Sequence, residues 1–258
     1  GRWGVVAWGK GQQASRGRAG RFVMTLNDES DNFPELREML RREGGQFRTN
    51  SDTEVLLEGY GLWGPGVVDR LHGMFAFVIW DRQESVVFGA RDRLGIKPLC
   101  WALSKGALIV SSTLEPFKVL SGFGQVDPVA VRDFLAFDYI PSPRTILQGV
   151  HKLEPGCRFQ WRLGDEEPRI ERYWSPSGPD ERAEVPSEST LESLLQRVVR
   201  RQMISDVPIG IFLSGGIDSS LMVALMARES QKPVRSFSIA FKDAEADESS
   251  IAGLVARQ

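Results

Sequence analysis

The stretch from Val207 to Phe241 constrains this chain most. An apolar run of strand length, Val207-Pro-Ile-Gly-Ile-Phe-Leu213, enters the loop Ser214-Gly-Gly-Ile-Asp-Ser-Ser220, and a helical run, Leu221 to Arg228, leaves it. A second β-rich run, Val234–Phe241, follows. Strand, helix and strand make a βαβ unit, which requires two parallel strands and a crossover of fixed hand. Ligands of such sheets lie outside the carboxyl ends of the strands. The loop suits an anion there: free backbone N–H groups and the positive end of the helix dipole converge on one point. Gly215 and Gly216 permit close backbone approach, and Ser214, Ser219 and Ser220 add hydroxyls. Asp218 is out of place at an anion site unless it caps the helix or meets Mg²⁺ carried by a nucleotide. The string is neither G-x-x-x-x-G-K-[ST] nor G-x-G-x-x-G. A tight turn with a cap is the plainer reading of the same residues.

Upstream the pattern differs. Phe33-Pro34-Glu35-Leu36 opens a helix that Gly44-Gly45 closes, and Asp52 to Leu62 forms a second with Ser51 as N-cap. Short strands follow about ten residues apart, at Met74–Trp80, Ser85–Ala90, Leu99–Leu103 and Ala107–Ser111. Their rhythm predicts antiparallel hairpins in one sheet. Helices are expected at 114–120 and 128–137, and strands near His151–Leu153 and Arg158–Trp161.

Residues 174–188, rich in Pro, Ser, Gly and charge, read as a linker between a domain at 22–173 and one at 189–258. Beyond it, Ser189 and Glu192 suggest a capping box. Leu191, Leu194, Leu195, Val198 and Val199 form an apolar stripe. Residues 1–21 are irregular and read as a frayed or foreign terminus. The chain opens at Gly1 without Met and stops inside a helical run, so a cut at both ends is expected.

Composition removes several classes. Of 258 residues, 32 are Lys or Arg and 34 Asp or Glu, a balance with no general pull towards nucleic acid or acidic membranes. Two cysteines, Cys100 and Cys157, and two histidines exclude a disulfide scaffold and an ordinary Cys/His zinc cluster. No apolar run approaches the ~20 residues that span a bilayer, and no signal peptide is expected. A cytoplasmic setting is expected.

Ser214–Ser220 resembles the pyrophosphate loop of the PP-loop ATP pyrophosphatases, and Asp206–Ser220 resembles the asparagine synthetase branch. Ser51-Asp52-Thr53-Glu54-Val55 is similar to a glutamine-site segment of class II glutamine amidotransferases. Gly73–Asp81, Ala90–Leu99 and Phe134–Gly156 resemble the asparagine synthetase family in the same order. The resemblance covers roughly Asn32 to the C-terminus. It implies an α+β N-terminal-nucleophile hydrolase sandwich with α-β-β-α layers, followed by the beginning of an α/β parallel-sheet domain of the adenine nucleotide alpha hydrolase type. The implied chemistry is hydrolysis of glutamine in the first domain. In the second, ATP adenylates aspartate, and ammonia attacks to give asparagine, AMP and pyrophosphate. A homodimer and small-molecule partners only (glutamine, aspartate, ATP) are expected, with no nucleic acid or membrane.

By resemblance, Ser214, Gly215, Gly216, Asp218, Ser219 and Ser220 hold pyrophosphate and Mg²⁺. Phe212 and Ile239 line the adenosine pocket, unless they are simply buried strand residues. Asp247-Glu248 matches an acidic pair. Asp52 takes the glutamine α-ammonium, unless it merely stabilises a helix dipole, and Asn27 and Glu29 complete that site. The nucleophile of the family is an N-terminal cysteine using its own α-amine as base; Gly1 is not Cys, and Cys100 and Cys157 read as buried apolar residues. Asp28 stands where the family has Gly, and a carboxylate there opposes a developing oxyanion. Two alternatives follow: an ATP-dependent amide former without glutaminase activity, like the β-lactam synthetases, or a non-catalytic nucleotide-binding fragment.

Overall fold

A computed structural model describes residues 15–16, 20–120, 122–176, 178, 185–205, 207–240 and 247–258. Most of the irregular terminus, part of the expected linker, Asp206 and Phe241 lie outside them. The chain divides into two compact units, Gly1–Gly178 and Pro179–Gln258.

The first unit is built on strand β3 (Gly73–Asp81). Its sequence GMFAFVIWD alternates large aromatic and smaller apolar residues, so the two faces carry different side chains. Phe75, Phe77 and Ile79 enter one core with Leu36, Leu40, Val55 and Leu56. Those four come from helices α1 (Phe33–Arg42) and α2 (Asp52–Trp63). Ala76 and Val78 enter a second core with Leu99, Trp101, Leu108 and Val110. Strand β3 lies inside a six-stranded antiparallel sheet ordered β1 (Ser15–Arg16), β2 (Phe22–Ser30), β3, β4 (Val86–Arg91), β8 (Cys157–Arg162) and β9 (Arg169–Arg172). A three-stranded sheet, ordered β6 (Ala107–Ser111), β5 (Cys100–Ser104) and β7 (His151–Lys152), faces it across the second core. Cys100 and Ala102 on its outer face pack against Phe117 of α4 (Glu115–Val119) and Phe123. The result is the α-β-β-α sandwich.

The four regular strands therefore do not share one sheet: β3 and β4 belong to the large sheet, β5 and β6 to the small one. Hairpin spacing sets pairing within each couple and says nothing about which layer a couple joins. Gly89 of β4 is explained by packing. Its partner across the ladder is Phe159 of β8, whose ring occupies the place a Cβ would need. The 3₁₀ turn Gly64–Gly66, helix α3 (Val67–Arg70) and helix α5 (Pro128–Phe137) complete the unit. Asp127 caps α5, accepting from Val129 N at 2.8 Å.

In the second unit, β10 (Gly210–Phe212) and β11 (Arg235–Phe237) pair in parallel around α7 (Ile217–Glu229). This is the expected βαβ unit, but β11 is much shorter than Val234–Phe241. Helix α6 (Glu188–Gln202) packs on α7 through Leu195, Val199, Met222, Leu225 and Met226. Arg200–Glu229 and Arg228–Glu192 also link the two helices. Its cap is Ser187, which accepts from Thr190 N at 3.2 Å, rather than Ser189. Leu191, Leu194 and Val198 of the expected stripe stay exposed. Helix α8 (Ser249–Val255) follows.

Candidate functional site

In the first unit the candidate residues lie on β2 and at the start of α2. Asn27, Asp28 and Glu29 pair with Ala76, Phe75 and Met74 of β3. Side chains of a strand alternate, so Asp28 shares the helix-covered face with Leu26 and Met24. Ser30 Oγ lies 3.0 and 3.2 Å from its two carboxylate oxygens. Burial, reinforced by the charge of Asp52, pushes the Asp28 carboxyl well above the usual carboxylate range, and Lys97 offsets this only in part. Asn27 faces the other way. With Thr25, Val110, Ser111 and Ser112 it lines a cavity of about 110 Å³ between the sheets. The structure thus brings Asp28 and Asp52 together and puts Asn27 on the opposite face.

Asp52 is the first residue of α2 and is buried. Ser51 Oγ accepts from Thr53 N at 3.1 Å, and Asp52 Oδ1 accepts from Thr53 N at 2.7 Å and lies 3.2 Å from Ser51 Oγ. A carboxylate at this end also meets the positive pole of the helix. Two residues that the sequence does not single out fix the approach to it. Arg37 of α1, itself buried, donates to the carbonyls of Thr49 (2.6 Å) and Ser51 (3.0 Å). Glu54 accepts from Arg48 N at 2.8 Å and from Thr49 N at 2.7 Å. On a helix surface an Arg or Glu reads as solvated, so only the carbonyl-rich turn Thr49-Asn50-Ser51 hints at these roles. Cys100 and Cys157 are buried within strands, and burial pushes both thiols up.

In the second unit, Leu213 is buried where β10 ends, its N–H bonded to Phe237 O at 2.8 Å. Gly215 turns the chain at φ +88°, and a Cβ there would lie 2.8 Å from Ile251 Cγ2 and 2.9 Å from Ala252 N. Ser214 Oγ accepts from Gly216 N at 3.3 Å and lies 3.0 Å from Ser219 Oγ. Gly216 takes the N-cap position of α7 and offers no side-chain cap, so the first amides of the helix are left to an external acceptor. The expectation of Asp218 as cap is corrected: it is the second helical residue, exposed in the first turn. Ser220 Oγ is buried with no hydrogen-bond partner among the described residues.

Beside this turn a cavity of about 260 Å³ is lined by Phe212, Leu213, Ser214, Phe237, Ser238, Ile239, Glu248 and Ser249. Phe212 is 78% and Ile239 67% exposed, so neither is a buried strand residue. Ile239 lies past the end of β11. Ser238 and Ser249 are lining residues the sequence reading missed. Asp247 holds the second of them, accepting from Ser249 N at 3.2 Å and from Ser249 Oγ at 2.8 Å.

The glutamine amidotransferase domain family matches residues 2–174. The chain belongs to that family. Behind this glutamine amidotransferase unit, the asparagine synthase family matches residues 190–258. A putative glutamine-hydrolysing asparagine synthetase of Mycobacterium tuberculosis (strain H37Rv) is 37% identical over 224 residues, which cover 82% of this chain and 34% of the relative. Asparagine synthetase 1 of Bacillus subtilis (strain 168) is 35% identical, covering 86% and 35%. Amidase chyE of Penicillium rubens is 32% identical, covering 88% and 36%. The glutamine amidotransferase chain thus spans about a third of the length of these relatives. Among the described residues no helix is long and apolar enough to cross a membrane.

Proposed function

We propose that this chain carries the glutaminase-type unit and the nucleotide-binding start of a cytoplasmic enzyme that amidates aspartate to asparagine. The proposed reaction consumes ATP, passes through β-aspartyl-AMP and releases AMP and pyrophosphate. The observation that carries this reading is the turn after β10. Its parallel strand, its Gly215 and the uncapped amides of α7 form an anion seat, and it lies within the asparagine synthase match.

In this reading the α7 amides and the Ser214 and Ser219 hydroxyls take the phosphates of ATP, Ser220 lies behind them, and Gly215 and Gly216 let the phosphates approach. Phe212 and Ile239 flank the adenosine, with Glu248 at the rim of the same cavity. The described residues contain no group of three or more His, Cys, Asp or Glu able to hold a metal ion. Mg²⁺ fits as an ion carried by the nucleotide, with Asp218 as one oxygen ligand, where it neutralises charge on the leaving pyrophosphate. Asp52 is assigned to glutamine, while Asn27, on the opposite face of β2, is left out of that assignment.

The test is calorimetric titration of the chain with Mg-ATP and with pyrophosphate. Binding weakened by about tenfold or more in Asp218→Asn and in Ser214→Ala is expected, and affinity unchanged by both removes the assignment.

A second reading is favoured by Asp28. Its buried carboxyl beside Asp52 crowds a glutamine site with acid, which suits an ATP-dependent amide former that does not hydrolyse glutamine, as in the β-lactam synthetases. Supplying the longer protein with ammonium or glutamine alongside ATP and aspartate separates the two. AMP formed with glutamine supports the first reading. AMP formed with ammonium alone shows that the glutamine site is idle, and none with either favours the second.

A further inference from the structure

We propose that Lys97 takes the carboxylate of the molecule whose ammonium Asp52 holds, so that the first unit selects a free α-amino acid over a simple amine. This rests on the assignment of Asp52 to glutamine.

One end of the large sheet gathers the residues concerned. Asp28 of β2 pairs with Phe75 of β3, and Phe75 O accepts from Asp92 N at 2.8 Å. The loop that carries Lys97 therefore leaves β4 beside the ladder partner of Asp28. Arg93 ties this loop to Leu71 O at 2.6 Å, and Asp31 N, just past β2, donates to the adjacent His72 O at 2.9 Å. The Asp28 carboxyl feels Asp52 and Asp31 as like charges and Lys97 as the opposing one. Asp52 and Lys97 are thus both within electrostatic reach of one side chain.

The loop holds Lys97 in place. Arg91 donates to the carbonyls of Lys97 at 2.8 Å and of Gly95 and Leu153 at 2.6 Å each. Buried Asp92 accepts from the amides of Leu94 at 3.1 Å and of Ile96 and Lys97 at 2.9 Å each. Lys97 is therefore fixed at both its N–H and its C=O, and these bonds leave its side chain out. Leu94 and Ile96 stay 70% and 54% exposed, so the two charged groups organise a segment that adds little to the core. A rigid loop at a sheet end is a common way to place a binding group.

An α-amino acid carries its ammonium and its carboxylate on one carbon. Asp52 alone would hold any amine and would repel that carboxylate, whereas a cation nearby turns the repulsion into preference. Arg37 also feels the charge of Asp52, but its guanidinium is engaged by the carbonyls of Thr49 and Ser51. The proton that burial keeps on Asp28 stops that carboxyl from competing for the Lys97 ammonium.

The experiment is calorimetric titration of the 258-residue chain with glutamine and with γ-aminobutyramide, which is glutamine without its α-carboxylate. The parent should bind glutamine about tenfold or more tightly than the analogue, the scale of a hydrogen bond between charged groups. Lys97→Met should abolish that preference and leave affinity for the analogue within about threefold. Lys97→Arg, which keeps the charge, should retain the preference. Circular dichroism should show both variants folded, because Arg91 and Asp92 bond only the main chain of Lys97. A parent without the preference, a Lys97→Met protein that keeps it, or an equal loss of both ligands overturns the role of Lys97 and leaves the glutamine reading standing. A parent that binds neither ligand overturns both.

Discussion

Ser214 Oγ stands 3.0 Å from Ser219 Oγ, so the residue that leaves β10 is tied by its side chain to the first turn of α7. The tie holds the two hydroxyls at the mouth of the turn, where an incoming phosphate would take them over. Ser214→Ala and Ser219→Ala should each weaken Mg-ATP binding by about tenfold, the scale of one hydrogen bond to a charged acceptor. The double variant should lose less than the product of the two, because each single change already breaks the shared bond. Calorimetric titration of the four proteins checks this.

Gly215→Ala should destabilise the second unit by about 1–3 kcal/mol, combining a left-handed backbone with a Cβ pressed against another main chain. One of the obstructing atoms is Ala252 N, which no side-chain rotation can move. Hydrogen exchange should show α7 and α8 losing protection, with the first unit unchanged.

Asp28→Asn should raise stability at neutral pH and flatten its pH dependence. The folded carboxyl, held high by burial and by Asp52, keeps its proton in a range where the unfolded one has lost it. The native state therefore binds more protons there, and stability falls as pH rises from the ordinary carboxylate pKa through the raised one. Thermal melts between about pH 4 and pH 8 should show that slope in the parent chain and lose it in the variant.

Arg37→Met should cost about 3 kcal/mol, since it strips the carbonyls of Thr49 and Ser51 of a buried charged donor. Arg37→Lys should recover only part, because a single nitrogen cannot span both acceptors. Denaturant midpoints for the three proteins measure it. If the Thr49–Ser51 turn positions Asp52, both variants should also weaken glutamine binding.

Much of this architecture is legible in the residues. The strand at Met74–Trp80 and the N-cap Ser51 can be read directly. Strand β9, whose residues are all exposed, carries no apolar period to read. The C-terminal half of β2, Asn-Asp-Glu-Ser, looks like a turn and is held as a strand by its ladder to β3. That hidden strand also explains the site. A loop would let Asn27 and Asp52 converge, whereas a pleat sends Asn27 between the sheets and leaves Asp28 beside Asp52. In the second unit the loop composition announces the proposed anion seat directly, because glycines and hydroxyls act through the local backbone. Ser238 and Ser249 reach the cavity only through tertiary folding.

Strand β3 sends Phe77 into one core and its neighbours Ala76 and Val78 into the other. Damage on one side must therefore be felt on the other, since the strand cannot shift for one layer and stay still for the next. Phe77→Ala, a cut made on the helical side, should speed amide exchange in β5 as well as in α2. The layers of the sandwich then melt as a single cooperative body.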